Sequence, residues 1–377
     1  MRRLLYFVAD DWYFCSHRLA LGRSARAAGY RVGVVTRVRS HAGPIKDAGL
    51  ELFPVELARA GMNPLADLAA VRAVTRIYRD FRPDIVHHVA MKPVLYGTLA
   101  ARRADVPCIV NALAGLGWMF SSRDAAARLL KPFVLAAFRR LLNRAGSRVV
   151  VQNPDDHRLM AKRAGVADGR IAVIRGSGVD LEAFPATAPP EGLPLVVLPA
   201  RMLRDKGVEE FVAAARLLKG RGRFALVGDT DEENPAAVPV ERLRAWHDEG
   251  AVEWWGFRSD MPRVLGESAI VCLPSWREGM PKALMEAAAC ARPIVTCDVP
   301  GCREVVAEGE NGLLVPRGDV PALAAALKRL IDDPELRRRL GERGRMRAEA
   351  EFSVESVAAQ TLALYEALLQ ERGQGVG

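Results

Sequence analysis

Short, almost unbroken apolar segments, each followed by a helical stretch, run along this chain in two series and constrain its fold more tightly than anything else in it. In the first series "LLYFVA" (4–9), "RVGVVT" (31–36), "DIVHHV" (84–89), "CIVNAL" (108–113) and "RVVVQN" (148–153) read as strands. Helical patterns over 17–28, 65–80 and 94–104 fall between them. Strands this continuously apolar need cover on both faces, which helices between parallel strands provide. The stretch "FPATAPPEGLP" (184–194), with four prolines and no periodicity, reads as a linker. The series then restarts with "LVVLPA" (195–200), "FALVGD" (224–229), "VEWWGF" (252–257), "AIVCLP" (269–274) and "PIVTCD" (293–298). The pattern predicts two doubly wound α/β domains, 1–185 and 190–352, facing each other across a cleft. Helices are expected over 319–331 and 334–350, and a last one over 353–372.

Composition narrows the setting. No apolar run approaches the ~20 residues that span a bilayer. The start "MRRLLYFVADDW" imitates a signal peptide only until Asp10 and Asp11, so a cytoplasmic protein is expected. Six cysteines (15, 108, 272, 290, 297, 302) form no C-x-x-C pair, as fits reduced thiols in a core. The net charge of +9 divides unevenly: residues 1–182 hold 29 Lys and Arg against 15 Asp and Glu, and residues 183–377 hold 25 against 30. A first half this basic is expected to face something anionic: nucleic acid, membrane lipid or a phosphorylated substrate.

The chemistry concentrates in "SWREGMPKALMEAAAC" (275–290), which follows the strand "AIVCLP". Pro281 suits the start of a helix, whose amino end offers backbone N–H groups and partial positive charge to a phosphate. Gly279 permits close approach of a ligand to the backbone. Glu278 precedes this anion site, and Glu286 lies about 7.5 Å along the helix from Pro281 at ~1.5 Å per residue. Carboxylates accept from vicinal hydroxyls, so a ligand with a central diphosphate could meet one at each end. The same two residues also read as a solvated loop and a helix surface. A second cluster, "ARMLRDKG" (200–207), places Arg201, Arg204 and Lys206 after the first strand of the second series, where cations can neutralise a departing diphosphate.

Together "PARMLRDKGVEEFVAAA", "LVGD", "GFRSDMP", "CLPSWREGMPKALMEAAACARPIVTCDVPGCREVV" and "ENGLLVP" resemble the family-4, or group 1, retaining glycosyltransferases of the GT-B fold. The resemblance is dense over 195–316. It implies two Rossmann-like domains, with the C-terminal helix returning to the first. Arg201 and Lys206 would bind the donor diphosphate, Glu278 the transferred sugar and Glu286 the ribose, with Arg201, Lys206 and Glu278 as the catalytic set. The backbone of Gly279, Met280 and Pro281 would touch sugar and phosphate, and Gly228, Phe257 and Arg258 would lie near the base. No metal or other cofactor is implied. Asp229-x-Asp231 in "GDTD" mimics a metal motif but ends a strand within this pattern, and His87 and His88 point to opposite faces of theirs. One of the two histidines could still reach the cleft.

Two family features are missing: the glycine-rich loop after the first strand and a histidine in the segment after "CIVNAL". "YFCSHR", "MKPVLYG", "GLGWMF" and "EGMPK" instead resemble the branch that builds bacterial surface polysaccharides on undecaprenyl diphosphate. Ser16, His17, Arg18, Lys92, Gly115 and Gly117 are then acceptor-side candidates. Residues 121–148 hold seven basic residues and one acidic among Leu, Phe and Val, and Pro132 is expected to start a helix over 132–145. Such a helix fits either an anionic membrane surface or a partly buried domain element. The expected partners are a nucleotide-sugar, in the UDP series by resemblance, a polyprenyl-diphosphate saccharide and the inner face of the membrane. Nucleic acid is not among them, because stacking aromatics are not interleaved with the basic residues. A sugar-nucleotide epimerase and a non-catalytic basic module are the competing readings.

Overall fold

The computed structural model describes residues 1–57, 64–113, 125–188, 190–231 and 234–374. The chain forms two compact units, Met1–Ser177 with Val354–Gly377, and Gly178–Ser353. In the first, seven parallel strands are ordered β3-β2-β1-β4-β5-β6-β7. All five expected strands form: β1 (Arg3–Asp10), β2 (Arg31–Arg37), β4 (Ile85–Val89), β5 (Cys108–Leu113) and β6 (Ser147–Val151). Two further strands, β3 (Glu51–Pro54) and β7 (Ile171–Val173), close the sheet's edges and contain no fully buried residue. A partly exposed edge strand has no need of a continuous apolar run.

Helices α1 (Asp11–His17), α2 (Leu19–Ala27), α3 (Ala42–Asp47), α4 (Pro64–Phe81), α5 (Met91–Arg103), α6 (Ala125–Leu142) and α7 (Pro154–Lys162) fill the crossovers. Pro132 lies inside α6 rather than starting a helix, which corrects the expected start. No described helix is long and apolar enough to cross a membrane. The C-terminal helix, Val354–Gln374, packs on the first unit as expected. Tyr365 and Leu368 are fully buried, Tyr30 Oη donates to Glu366 at 2.7 Å, and Arg148 pairs with Glu371 at 2.5 Å.

His87 and His88 do face opposite sides of β4, but neither reaches solvent. His87 Nδ1 meets Tyr365 Oη at 2.5 Å beneath the C-terminal helix, while His88 lies between Asn111 Oδ1 (2.8 Å) and Tyr78 Oη (3.0 Å). The expectation that one could line a cleft is therefore corrected: the apolar neighbours on each face of the sheet enclose them.

The second unit holds six parallel strands ordered β10-β9-β8-β11-β12-β13. They are β8 (Leu195–Pro199), β9 (Arg223–Val227), β10 (Glu253–Trp254), β11 (Ile270–Leu273), β12 (Ile294–Cys297) and β13 (Gly312–Val315). The division between units falls at Ser177/Gly178, earlier than the proline-rich stretch, which is itself tied to the second unit. Buried Arg292 donates to the carbonyls of Thr187 and Ala188 at 3.0 and 3.3 Å, and Arg345 donates to that of Phe184 at 3.0 Å. Proline marks irregular backbone, and irregular backbone can still be docked. All six cysteines are free thiols, five of them buried.

Burial holds His87 far below the ordinary histidine range, aided by Arg18 and His88, and brings His88 down to about 4. The unfolded chain takes up these protons near pH 6.5 and the folded chain does not. Stability is therefore full above 6.5 and falls as pH drops from there towards 4, by up to about 1.4 kcal/mol per pH unit per ring. Denaturant unfolding between pH 7 and 4.5 should show this slope, and His88→Asn should reduce it by close to one proton. An unchanged slope in the variant contradicts the assignment.

Candidate active site

The order β9-β8-β11-β12 reverses direction between β8 and β11, so the loops leaving their carboxyl ends diverge and open a crevice. Arg201 and Lys206 leave from β8, and Glu278 to Glu286 from β11. At their junction Lys206 Nζ pairs with Glu278 Oε1 at 2.5 Å, and Ser275 Oγ donates to the same oxygen at 2.8 Å. Both charged side chains are largely covered, 20% and 12% exposed. The loops are pinned together, with Trp276 N donating to the Asp205 carbonyl at 2.9 Å and Glu278 N to that of Pro300 at 3.2 Å.

Two glycines permit this closeness. Gly207 has φ +74, and a Cβ there would stand 2.2 Å from the Pro274 carbonyl oxygen. Gly301, after β12, has φ +84, and a Cβ would stand 2.5 Å from the Glu278 carbonyl oxygen. A side chain at Gly207 would force apart the loops that carry Lys206 and Glu278, and one at Gly301 would displace the Glu278 loop from the loop after β12.

Helix α11, counting α8 (Val208–Leu217), α9 (Val240–Asp248) and α10 (Met261–Glu267) before it, spans Lys282–Ala289. Pro281 occupies its N-cap position, one residue before the expected start, and no side chain caps it. The amino end therefore meets the crevice as backbone, suited to an anion. Glu286 is only 8% exposed and pairs with Lys282 Nζ at 3.2 Å. Burial raises its pKa, with Lys282 opposing. Lys282 is not among the residues that the sequence motifs single out, although four residues before a carboxylate is a helical pairing distance. Met280 and Pro281 are buried, while Gly279 is partly exposed.

Arg201 is half-exposed and paired with Asp231 at 2.5 Å, and Asp229 Oδ1 accepts from Phe257 N at 3.1 Å. The two carboxylates of "GDTD" thus hold the loops after β8 and β10. Gly228 N donates to the Gly256 carbonyl (2.8 Å), and its own carbonyl accepts from Trp254 Nε1 (2.9 Å). Phe257 is 73% exposed at the same edge. Arg258 is gripped by Asp260 through two bonds of 2.8 and 2.6 Å, which hold the Asp260 pKa down to about 2.

The acceptor-side candidates do not form one group. Ser16 is exposed, and His17 stacks on Tyr13 with ring centroids 4.2 Å apart. Arg18 is buried, 5% exposed, with its charge felt by Tyr6, His87 and Tyr365, so an acceptor contact by this residue is corrected to an interior cation. Ser16 and His17 close α1, whereas Arg18 is the non-helical link between α1 and α2 (φ −133), so the three side chains leave in different directions. Lys92, in the first turn of α5, lies 3.7 Å from Asp67. Gly115 and Gly117 fall outside the described residues. Asp11, which carries no motif signal in the sequence, accepts from the N–H groups of Trp12, Arg39 and His41 at 2.8 Å and ties the loop after β2 to the end of β1. Its burial raises the carboxyl pKa, but these bonds outweigh it and hold it below the usual range.

Residues 193–333 match the family model described as glycosyl transferases group 1, and residues 3–153 the one described as glycosyl transferase 4-like. The chain belongs to the group 1 glycosyltransferases. Among its relatives is the N,N'-diacetylbacillosaminyl-diphospho-undecaprenol alpha-1,3-N-acetylgalactosaminyltransferase of Campylobacter jejuni, 29% identical over 86% of this chain and 88% of that one. Another is the UDP-Gal:alpha-D-GlcNAc-diphosphoundecaprenol alpha-1,3-galactosyltransferase of Escherichia coli, 24% identical over 80% and 81%. In fold it is similar to sucrose-phosphate synthase from Thermosynechococcus elongatus, with a TM-score of 0.83 at 22% identity over 98% of this chain and all of that one. This glycosyltransferase is a hexosyltransferase of the GT-B fold.

In this glycosyltransferase Gly301→Ala should cost at least about 1 kcal/mol from backbone conformation alone. It should also weaken nucleotide-sugar binding at least tenfold by displacing the Glu278 loop. Calorimetric titration beside thermal unfolding checks both, and donor affinity equal to that of the parent contradicts the role given to this contact.

Proposed function

We propose that this glycosyltransferase moves a hexose or N-acetylhexosamine from a UDP-sugar to a saccharide carried on a polyprenyl diphosphate, with retention of anomeric configuration. The observation that carries this reading is the covered Lys206–Glu278 pair at the β8/β11 switch point, beside the uncapped amino end of α11 and the buried Glu286. A diphosphate fits between them: Lys206 releases Glu278 to take the anion, and the N–H groups of α11 share its charge. Glu278 is then free to accept from the sugar hydroxyls, and Glu286, with Lys282 at its side, from those of the ribose. Arg201 supplies further positive charge as the leaving phosphate develops its own. In a front-face displacement a departing phosphate oxygen accepts the proton of the acceptor hydroxyl, so no protein nucleophile is required. Lys206 and α11 stabilise the charge formed there. No metal has a part in this scheme.

The acceptor class is supported by the activities named for the two relatives, and the UDP donor by that of the Escherichia coli enzyme. Helix α6 supports peripheral attachment to the inner face of the membrane, as Leu129 and Phe133 are 71% and 69% exposed next to basic residues.

Lys206→Ala should lower turnover by about 100-fold or more, the scale of losing one preorganised charge partner, while circular dichroism shows the chain still folded at the assay temperature. The assay pairs a UDP-sugar panel with labelled polyprenyl-diphosphate saccharides, and NMR of the product reports the anomeric configuration. Unchanged turnover in the variant, or epimerised donor without acceptor, contradicts the proposal.

A further inference from the structure

The positive charge of the first unit gathers at a place that none of the residues assigned to the reaction occupies. Helices α5 and α6 both end at the amino-terminal edge of the sheet, opposite the carboxyl ends of its strands. Arg102 from the last turn of α5, Arg140 from the last turn of α6, and Asn143 and Arg144 just beyond line one open hollow of about 420 Å³. Arg170 reaches the same corner, donating to the Arg144 carbonyl at 2.7 Å.

The turn that carries Arg144 is held firmly. Asn143 Nδ2 donates to the carbonyls of Arg139 and Gly165 at 2.9 and 2.8 Å, and its Oδ1 accepts from Ala167 N at 2.8 Å. The lining of the hollow carries no Asp or Glu, and none occurs from residue 125 to residue 154, although Asp105 follows Arg102 and Asp168 precedes Arg170 in the chain. Among the described residues no carboxylate pairs with Arg102, Arg140 or Arg144. Some other exposed arginines of this chain have such partners, as Arg31 with Glu51, Arg158 with Asp155 and Arg223 with Glu253, while Arg23, Arg72 and Arg76 stand singly without one among the described residues.

Each helix end carries partial negative charge, which accounts for one cation at each. It does not account for guanidinium groups from two helices and a pinned turn converging on one hollow, since like charges at short range oppose one another. Guanidinium forks match the oxygens of a phosphate and bind it through charge-assisted bonds. We propose that this hollow binds a phosphate group, presented either as a lipid headgroup phosphodiester or as a free diphosphate. The exposed Leu129 and Phe133 on α6 favour the headgroup as its source. The site lies in a different unit from the donor loops and stands whether or not the proposed reaction is right.

The test uses the full chain with Lys206→Ala, so that the donor loops do not compete for the probe. Inorganic pyrophosphate is titrated by calorimetry, and flotation is measured with phosphatidylcholine vesicles with and without phosphatidylglycerol. These are repeated after Arg102→Ser, Arg140→Ser and Arg144→Ser together. Arg23→Ser, Arg72→Ser and Arg76→Ser together, at three exposed positions of the same unit, form the charge-matched control. Binding of either probe to the parent, at least tenfold weaker in the first triple variant and kept in the control, is the expected result. Pyrophosphate binding then identifies a soluble ligand, and vesicle binding alone a headgroup. Arg140→Gln by itself should weaken the same binding about threefold, which keeps the test open should the triple variant not fold. Failure of both probes to bind the parent, or equal losses in the control, overturns the proposal.

Discussion

The ion pair between Lys206 and Glu278 joins two loops that the topology of the sheet sends in opposite directions. It is an unusual stabiliser. Removing an ammonium and a carboxylate from water costs about as much as their attraction returns, so a covered pair adds little net stability. In the proposed reaction its value lies in being exchangeable, because a diphosphate carries more negative charge than one carboxylate and would replace it at Lys206. The remaining features of the site keep that exchange possible. Gly207 and Gly301 bring the loops close, Ser275 orients Glu278, and the uncapped amino end of α11 leaves backbone facing the crevice.

Glu286 shows how the same segment accommodates a buried charge. A carboxylate that is 8% exposed would be costly in an apolar helix without a partner, and Lys282 one turn earlier supplies it. Burial raises the carboxyl pKa, and Lys282 works against that rise, so in the proposed donor complex a ribose hydroxyl would meet a poorly hydrated acceptor. The site is therefore built on rigid elements, with strand ends supplying position and two lysine–carboxylate pairs holding charge until a ligand arrives.

Much of this architecture is legible in the amino-acid sequence. Strands buried on both faces announce themselves by apolar runs, and the Glu278/Glu286 and Arg201/Lys206 sets follow the strands at the switch point of their sheet. Edge strands β3 and β7 are silent because partial exposure leaves them without an apolar signature. The boundary between units lies earlier than the prolines suggest, because proline reports irregular backbone, whereas Arg292 and Arg345 decide what that backbone docks against. Arg18 is different: it enters through the resemblance of "YFCSHR", and only the folded chain shows it lying inside, near Tyr6, His87 and Tyr365. The partnership of Asp231 with Arg201 is equally hidden, since a pairing across loops leaves no spacing to read.

A crystal structure of the chain with a bound nucleotide-sugar tests the central claim most directly. The account predicts that Lys206 Nζ leaves Glu278 and lies within about 3 Å of a diphosphate oxygen. The diphosphate should rest at the amino end of α11, with Glu286 on the ribose and Glu278 on the sugar. A bound donor that leaves the Lys206–Glu278 pair intact, with its diphosphate away from α11, would contradict it.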